Sequence, residues 1–223
     1  MAGVARLQDD EAGEARRARI LDAAERCMAR AGFHRTTVQD VAAEAGMSPG
    51  NLYRYFPSKD AIVAGLAERD RAEVAADFTA LDGADDLVEG FLALARKHFE
   101  QAPREKAVLC LETWAEATRN PTFAAISAEF EREVTGRLTE LFRQAQERGT
   151  ISRDADPGLL AVLVSILANG VFVRRAVHAD FSPARDVAAV MAAIDAAFSG
   201  RITLAPPSGE AAPRGALTLE TVR

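Results

Sequence analysis

The stretch that decides the fold is Thr36-Thr37-Val38-Gln39-Asp40-Val41-Ala42-Ala43-Glu44-Ala45-Gly46-Met47-Ser48-Pro49-Gly50-Asn51-Leu52-Tyr53-Arg54-Tyr55-Phe56-Pro57-Ser58-Lys59-Asp60. Thr37 is placed to accept from the free amides of a starting helix, with Asp40 adding negative charge near its positive end. Thr36 with Gln39 is an equally legal capping pair. Val38, Val41, Ala42 and Ala45 recur at three- and four-residue spacing and give this short helix one apolar face. Gly46 supplies the left-handed residue on which a helix stops, and Ser48 followed by Pro49 opens the next one. Phe56 before Pro57 discourages further helix, and Ser58 caps another with Lys59 in its first turn.

Two short helices joined through Met47 must cross steeply, which is how a helix-turn-helix sets one helix into the major groove of DNA. Leu52 and Phe56 are spaced to pack inward, leaving Asn51, Tyr53, Arg54 and Tyr55 on other faces. Asn51 and Arg54 have side chains that read base edges, or alternatively rest on phosphate at the rim. Gly50, next to Pro49, lets the backbone approach closely, and Thr37, Ser48, Tyr53, Tyr55 and Lys59 are expected to fix position on the DNA backbone. Upstream, Ile20, Leu21, Ala24, Cys27, Met28 and Ala31 trace a supporting helix that ends at Gly32. Its early Arg16, Arg17 and Arg19 are either a solvated end or extra phosphate contacts.

From Arg16 to about Leu66 the chain resembles the DNA-binding domain of the TetR family of transcriptional regulators. The core of the match is Gly50-x-Leu52-Tyr53-x-Tyr55-Phe56-x-Ser58-Lys59-Asp60. The resemblance implies that the helix beginning near Ser48 enters the major groove, that Tyr53 and Tyr55 touch DNA, and that Lys59 binds phosphate. It also implies a homodimer on a double-stranded, palindromic operator and a C-terminal helical domain that binds a small-molecule inducer, with the helix from Ser58 transmitting the change. A repressor is the family's usual form. Efflux control is common among relatives with apolar pockets, and metabolic control is the runner-up.

The net charge of −6 looks wrong for a DNA binder until it is divided along the chain. Ala15 to Lys59 holds seven arginines and one lysine against Asp22, Glu25, Asp40 and Glu44, a net of +4, while residues 60–223 carry about −7. Only the N-terminal module suits phosphate.

The remaining chain reads as helices throughout, so the expected fold class is all-α. Residues 1–14 read as a flexible arm, 15–60 as the helix-turn-helix domain, 61–202 as a helical ligand-binding and dimerisation domain, and 203–223, with three prolines and no apolar period, as a disordered tail. Helices are expected from Ser58 to about Phe78, Asp86 to Gln101, Arg104 to Thr118, Pro121 to Gly149, Pro157 to about His178 and Pro183 to Phe198. The Pro157 helix is apolar nearly all round and needs cover on more than one side. Pairing with a second copy supplies it, through Leu160, Leu163, Val164 and Leu167 with Val187, Val190, Met191, Ile194 and Phe198. Filling a monomer core is the plainer alternative.

Aromatic residues and odd polar ones on apolar faces are the candidate inducer pocket: Phe91, Leu94, His98, Cys110 and Trp114, with Phe123, Phe130, Asn169 and Phe172. Ordinary core packing explains each apolar member equally. If they line a cavity, it favours an apolar, partly aromatic molecule with one or two polar groups.

No cofactor, catalytic residue or metal site is expected. The three histidines, at 34, 98 and 178, and the two cysteines, Cys27 and Cys110, show no metal-ligand spacing, and no phosphate loop is present. The longest apolar run, Leu159 to Val173, is broken by Ser165 and Asn169 and falls short of the roughly 20 residues of a membrane span, so no membrane partner is expected. A reduced, cytoplasmic chain is the simplest reading.

Overall fold

The computed structural model describes residues 2–81, 84 and 86–202, with side chains from residue 12 onward. The tail expected from 203 lies outside the described residues. Helices follow one another along the chain: α1 Ala2–Ala31, α2 Val38–Glu44, α3 Pro49–Leu52, α4 Lys59–Leu81, α5 Leu87–Gln101, α6 Arg104–Ala117, α7 Pro121–Glu147, α8 Pro157–Val177 and α9 Ala188–Phe198. A wide π-type turn, Pro183–Val187, leads into α9 where the sequence suggested one continuous helix.

The first fourteen residues depart from expectation. The backbone of α1 is helical from Ala2, not from residue 15. Ala, Leu, Gln, Glu and Arg dominate this stretch and all favour helix, and extending an existing helix carries no nucleation cost.

Two hydrophobic clusters organise the molecule. One gathers Ile20, Ala24 and Met28 of α1 with Val41, Leu52 and Phe56, and takes Ile62, Val63 and Leu66 from the start of α4. The other is built from the end of α4 (Phe78, Leu81) with α5, α7, α8 and α9. Helix α4 therefore belongs to both, and the division between modules runs through its middle. At its start Gly65 is required, because a Cβ there would lie 2.7 Å from the Phe56 ring.

At the centre of the larger cluster Phe91, Phe142 and Phe198 form an aromatic trio, with ring centroids 5.2, 5.9 and 5.0 Å apart. Such pairs add about 0.5–1.5 kcal/mol each beyond area burial. Phe123, at the start of α7, instead joins the smaller cluster and meets Phe33 edge-on at 5.1 Å. Its ring ties the helical domain to the head.

Helix α8, at 21 residues, is long and apolar enough by composition to cross a bilayer, more so than its uninterrupted apolar run indicates. Here it packs against α6 and α7. Leu160, Val164, Val187, Met191, Ile194 and Phe198, expected on a partner, are buried inside the protomer, and Leu163, Leu167 and Val190 are half-buried against the same cluster. An all-round apolar helix offers several stripes, and the one that meets α6 and α7 turns inward. Val162, Ile166, Gly170, Val173 and Val177 form the stripe left outward, with Ile166 62% exposed.

Candidate nucleic-acid interface and its companion cleft

The head is built by local caps. Thr37 closes a full capping box: its hydroxyl accepts from the Asp40 N–H at 3.2 Å, and the Asp40 carboxylate accepts from the Thr37 N–H at 2.9 Å. Thr36, the alternative cap, is buried and donates to the Gly32 carbonyl at 2.8 Å. The Thr37 hydrogen bonds pull Asp40 below the usual carboxylate range.

Helix α2 ends on Gly46 at φ 65°. The Gly46 N–H donates to the Ala43 carbonyl and the Met47 N–H to that of Ala42, a Schellman closure that reverses the chain within one turn. Ser48 then caps α3 through the Asn51 N–H at 3.3 Å. Beyond Leu52 the reading helix tightens: the Tyr55 N–H donates to the Leu52 carbonyl at 2.9 Å before Pro57 stops it.

This brings the predicted contact residues to one face with unequal exposure. Thr37, Ser48, Pro49, Gly50 and Arg54 are exposed, Tyr53 is 46% exposed, and Asn51 is half-buried. Tyr55, expected outward, is half-buried with its ring partly against the head's core.

Lys59 departs most from its predicted phosphate role. Its ammonium donates to the carbonyls of Phe33 at 2.9 Å and Thr36 at 3.2 Å, and sits 4.1 Å over the Phe33 ring. Arg17 is likewise engaged, donating to the Tyr55 carbonyl at 3.2 Å and stacking on Phe56. Arg26 and Arg30 both pair with Glu44, which they hold below the usual carboxylate range. Arg16, Arg19, Arg35 and Arg54 are exposed and make no ion pair among the described residues, so the positive charge open to DNA is concentrated on them.

Behind the head lies a cleft of about 150 Å³. Helix α4 contributes Leu66 and Asp70, α6 contributes Lys106, Cys110 and Trp114, and α7 contributes Ser127, Phe130 and Glu131, with Asn169 of α8 at the edge. Burial pushes the Cys110 thiol up to about 12, with the Asp70 charge adding to it. The Ser127 hydroxyl oxygen is buried without a hydrogen-bond partner among the described residues. A second depression beside Phe130 measures about 10 Å³, room for a single water.

Of the nine predicted pocket residues, Cys110, Trp114, Phe130 and Asn169 line the cleft. Phe91 is in the aromatic trio, Leu94 packs on the same core, and Phe123 is in the head. His98 contacts Asp77 at 2.7 Å, and Phe172 lies outside the lining. An aromatic residue on an apolar stripe looks the same in sequence whether it bounds a cavity or fills a core. Ser127 and Glu131 carried a readable signal, being polar positions four apart beside the Phe123–Phe130 stripe. Asp70 and Lys106 carried none, because their 3.1 Å pairing joins residues far apart in the chain.

The cleft's wall is also the head's support. On α6, Cys110 and Trp114 face the cleft, while Glu112 accepts the Phe33 N–H and Glu116 meets His34 at 3.0 Å and Arg119 at 2.6 Å. From α4, Arg69 reaches Asp22 and Glu25 of α1 at 2.6 and 2.5 Å. Helices α4 and α6 thus border the cleft and also contact α1 and the turn after it.

Comparison with known proteins gives a consistent picture. The family of bacterial regulatory proteins, tetR family, matches residues 20–66, and the BetI-type transcriptional repressor C-terminal family matches residues 86–199. The HTH-type transcriptional regulator UidR of Escherichia coli strain K12 is 31% identical over 159 residues, which cover 70% of this chain and 79% of UidR. Salmonella enterica GusR superposes with a TM-score of 0.68 at 26% identity, over 82% of this chain and 95% of that one. The SmeT–triclosan complex shares the fold, with a TM-score of 0.71 at 23% identity, over 89% of this chain and 99% of SmeT.

Proposed function

Because the chain belongs to the TetR family of bacterial regulatory proteins, we propose that it is a repressor held on a palindromic operator as a two-fold dimer and released when a small molecule fills the cleft among α4, α6 and α7. The observation that carries this reading is that α4 and α6 form the cleft wall and also hold the head, through Arg69 and Glu112. A ligand that fits one arrangement of these helices better than another shifts the head between arrangements, by its differential affinity and no more.

The outward stripe of α8 supports the dimer. Four of the six large apolar residues exposed among the described residues, Val162, Ile166, Val173 and Val177, lie on it. Beside it α9 exposes Ala188, Ala189 and Ala192, whose small side chains let a second helix pair approach closely. A contiguous apolar strip of this kind marks an interaction site, and a two-fold partner matches a palindromic operator. In this reading the protein works in the cytoplasm, and whether the regulated genes serve efflux or metabolism is set by the compound that fills the cleft.

A gel shift with DNA from upstream of the chain's own coding region tests the function. The expected result is a discrete complex at nanomolar protein that survives excess nonspecific DNA. Binding no tighter to that fragment than to unrelated DNA would sink the operator reading.

A further inference from the structure

We propose that the cleft takes a small cationic amphiphile, an amine or ammonium compound with an apolar body about one ring in size, its charged head at Glu131 and its body against Trp114 and Phe130. This rests on the effector reading above and specifies the ligand class.

The charge arrangement decides the sign. Both basic side chains of the lining are committed: Arg69 to Asp22 and Glu25, and Lys106 to Asp70 at 3.1 Å and Glu73 at 3.3 Å. An anionic ligand would have to displace two carboxylates to reach either cation, and in the lining itself it would meet three carboxylates, Glu25, Asp70 and Glu131, against two bases. Glu131 differs from Glu25 and Asp70, since among the described residues it forms no ion pair and accepts only from the Thr135 hydroxyl at 3.3 Å. The same charges act on Cys110, where burial raises the thiol most, Asp70 and Glu25 add to it and Lys106 opposes them.

The walls decide the rest of the molecule. Trp114 and Phe130 offer aromatic surface, which attracts a desolvated cation as well as an apolar body. The buried Ser127 hydroxyl, without a hydrogen-bond partner among the described residues, can accept from an N–H or O–H of the ligand or donate to it. Size is set by volume: about 150 Å³ is the volume at which an engineered apolar cavity in an unrelated protein admits benzene, so the cleft as it stands holds one ring and not a fused multi-ring system.

Benzylamine, benzyl alcohol and benzoate share one body and differ in charge at neutral pH, which makes them suitable probes on the full-length protein. Binding is read from the fluorescence of Trp114, the single tryptophan, and from release of operator DNA. Fragments this small bind with affinities on the order of millimolar. At low salt benzylamine is expected to bind about threefold to fivefold more tightly than the other two. Glu131→Gln, an exposed and nearly isosteric change, is expected to remove most of that preference while leaving benzyl alcohol binding unchanged.

Benzyl alcohol or benzoate binding as tightly as benzylamine would overturn the cationic assignment and leave the effector cleft standing. A benzylamine preference that persists in Glu131→Gln would overturn the placement of the head. If no probe alters either Trp114 or operator binding, the effector reading itself fails, and this inference with it.

Discussion

The ammonium of Lys59 lies 2.9 Å from the carbonyl oxygen of Phe33 and 4.1 Å above the centre of that residue's ring. One side chain at the start of α4 therefore closes the turn between α1 and α2, and the same turn is held from the other side by Glu112 of α6. The reading head is braced by the two helices that bound the cleft.

Lys59→Met is accordingly expected to act on stability first. It removes a charge-assisted hydrogen bond to each of two part-buried carbonyls, a cost of about 1.5–3 kcal/mol or more, measurable by urea unfolding. The salt dependence of operator binding should stay within experimental error of wild type. A fall of about 0.9 in the slope of log K against log salt with stability intact would instead assign Lys59 to a phosphate.

Arg54 is the opposite case. It is exposed on the reading turn beside Tyr53 and forms no ion pair among the described residues. Arg54→Ala should leave the unfolding midpoint nearly unchanged and weaken operator binding by about 1–3 kcal/mol, with a smaller loss on unrelated DNA. Equal losses on both DNAs would make Arg54 a phosphate contact.

How far the sequence could be read depended on the range of the interaction. Gly46 and the Ser48–Pro49 pair act within a few residues, so the caps and the turn were legible, and so was the helical character of the chain beyond Ser58. Lys59 pairs with residues 23 and 26 positions upstream, and no local pattern announces this. Periodicity showed that α8 is apolar on every side, yet it does not say which stripe meets the protomer's own core. Leu160 and Val164 turn inward and Ile166 outward because α6 and α7 cover one side of α8. Phe91 and Trp114 both stand on helical apolar stripes, and only packing separates a core ring from a cavity wall.

That outward stripe gives a third expectation. Ile166→Glu places a charge where the proposed partner copy would bury it, a change costing several kcal/mol across a two-fold interface. Sedimentation should show a monomer with helical circular dichroism retained, and affinity for a palindromic site should fall by about a hundredfold or more as avidity is lost. A variant that sediments as wild type does would move the proposed interface elsewhere.

Both thiols should be slow to react. Burial raises Cys27 above the ordinary thiol range and raises Cys110 to about 12. At pH 8 the thiolate fraction of Cys110 is then on the order of 10⁻⁴. Titration of the native protein with a disulfide reagent should reveal two thiols only after denaturation. Rapid labelling of Cys110 in the native state would show that the cleft opens to solvent and that burial does not govern this thiol.

Glu116 gives a pH dependence with a defined sign. It is 7% exposed and paired with Arg119 at 2.6 Å and His34 at 3.0 Å. Burial pushes its carboxyl up, but the Arg119 hydrogen bond and charge, with His34 and Asn120, outweigh that and leave it below 4.5. A carboxyl lowered in the folded state contributes stability that is fully present above its unfolded pKa and is lost as pH falls through the folded one. Wild type should therefore exceed Glu116→Gln in unfolding midpoint at pH 7, and the two should converge as pH drops below about 4.5. Since Glu116 also anchors the turn at His34, the same variant should weaken the effect of a cleft ligand on operator affinity without changing ligand binding to the free protein. A stability gap unchanged down to pH 3 would mean that the shape of the side chain, and not its charge, holds the turn.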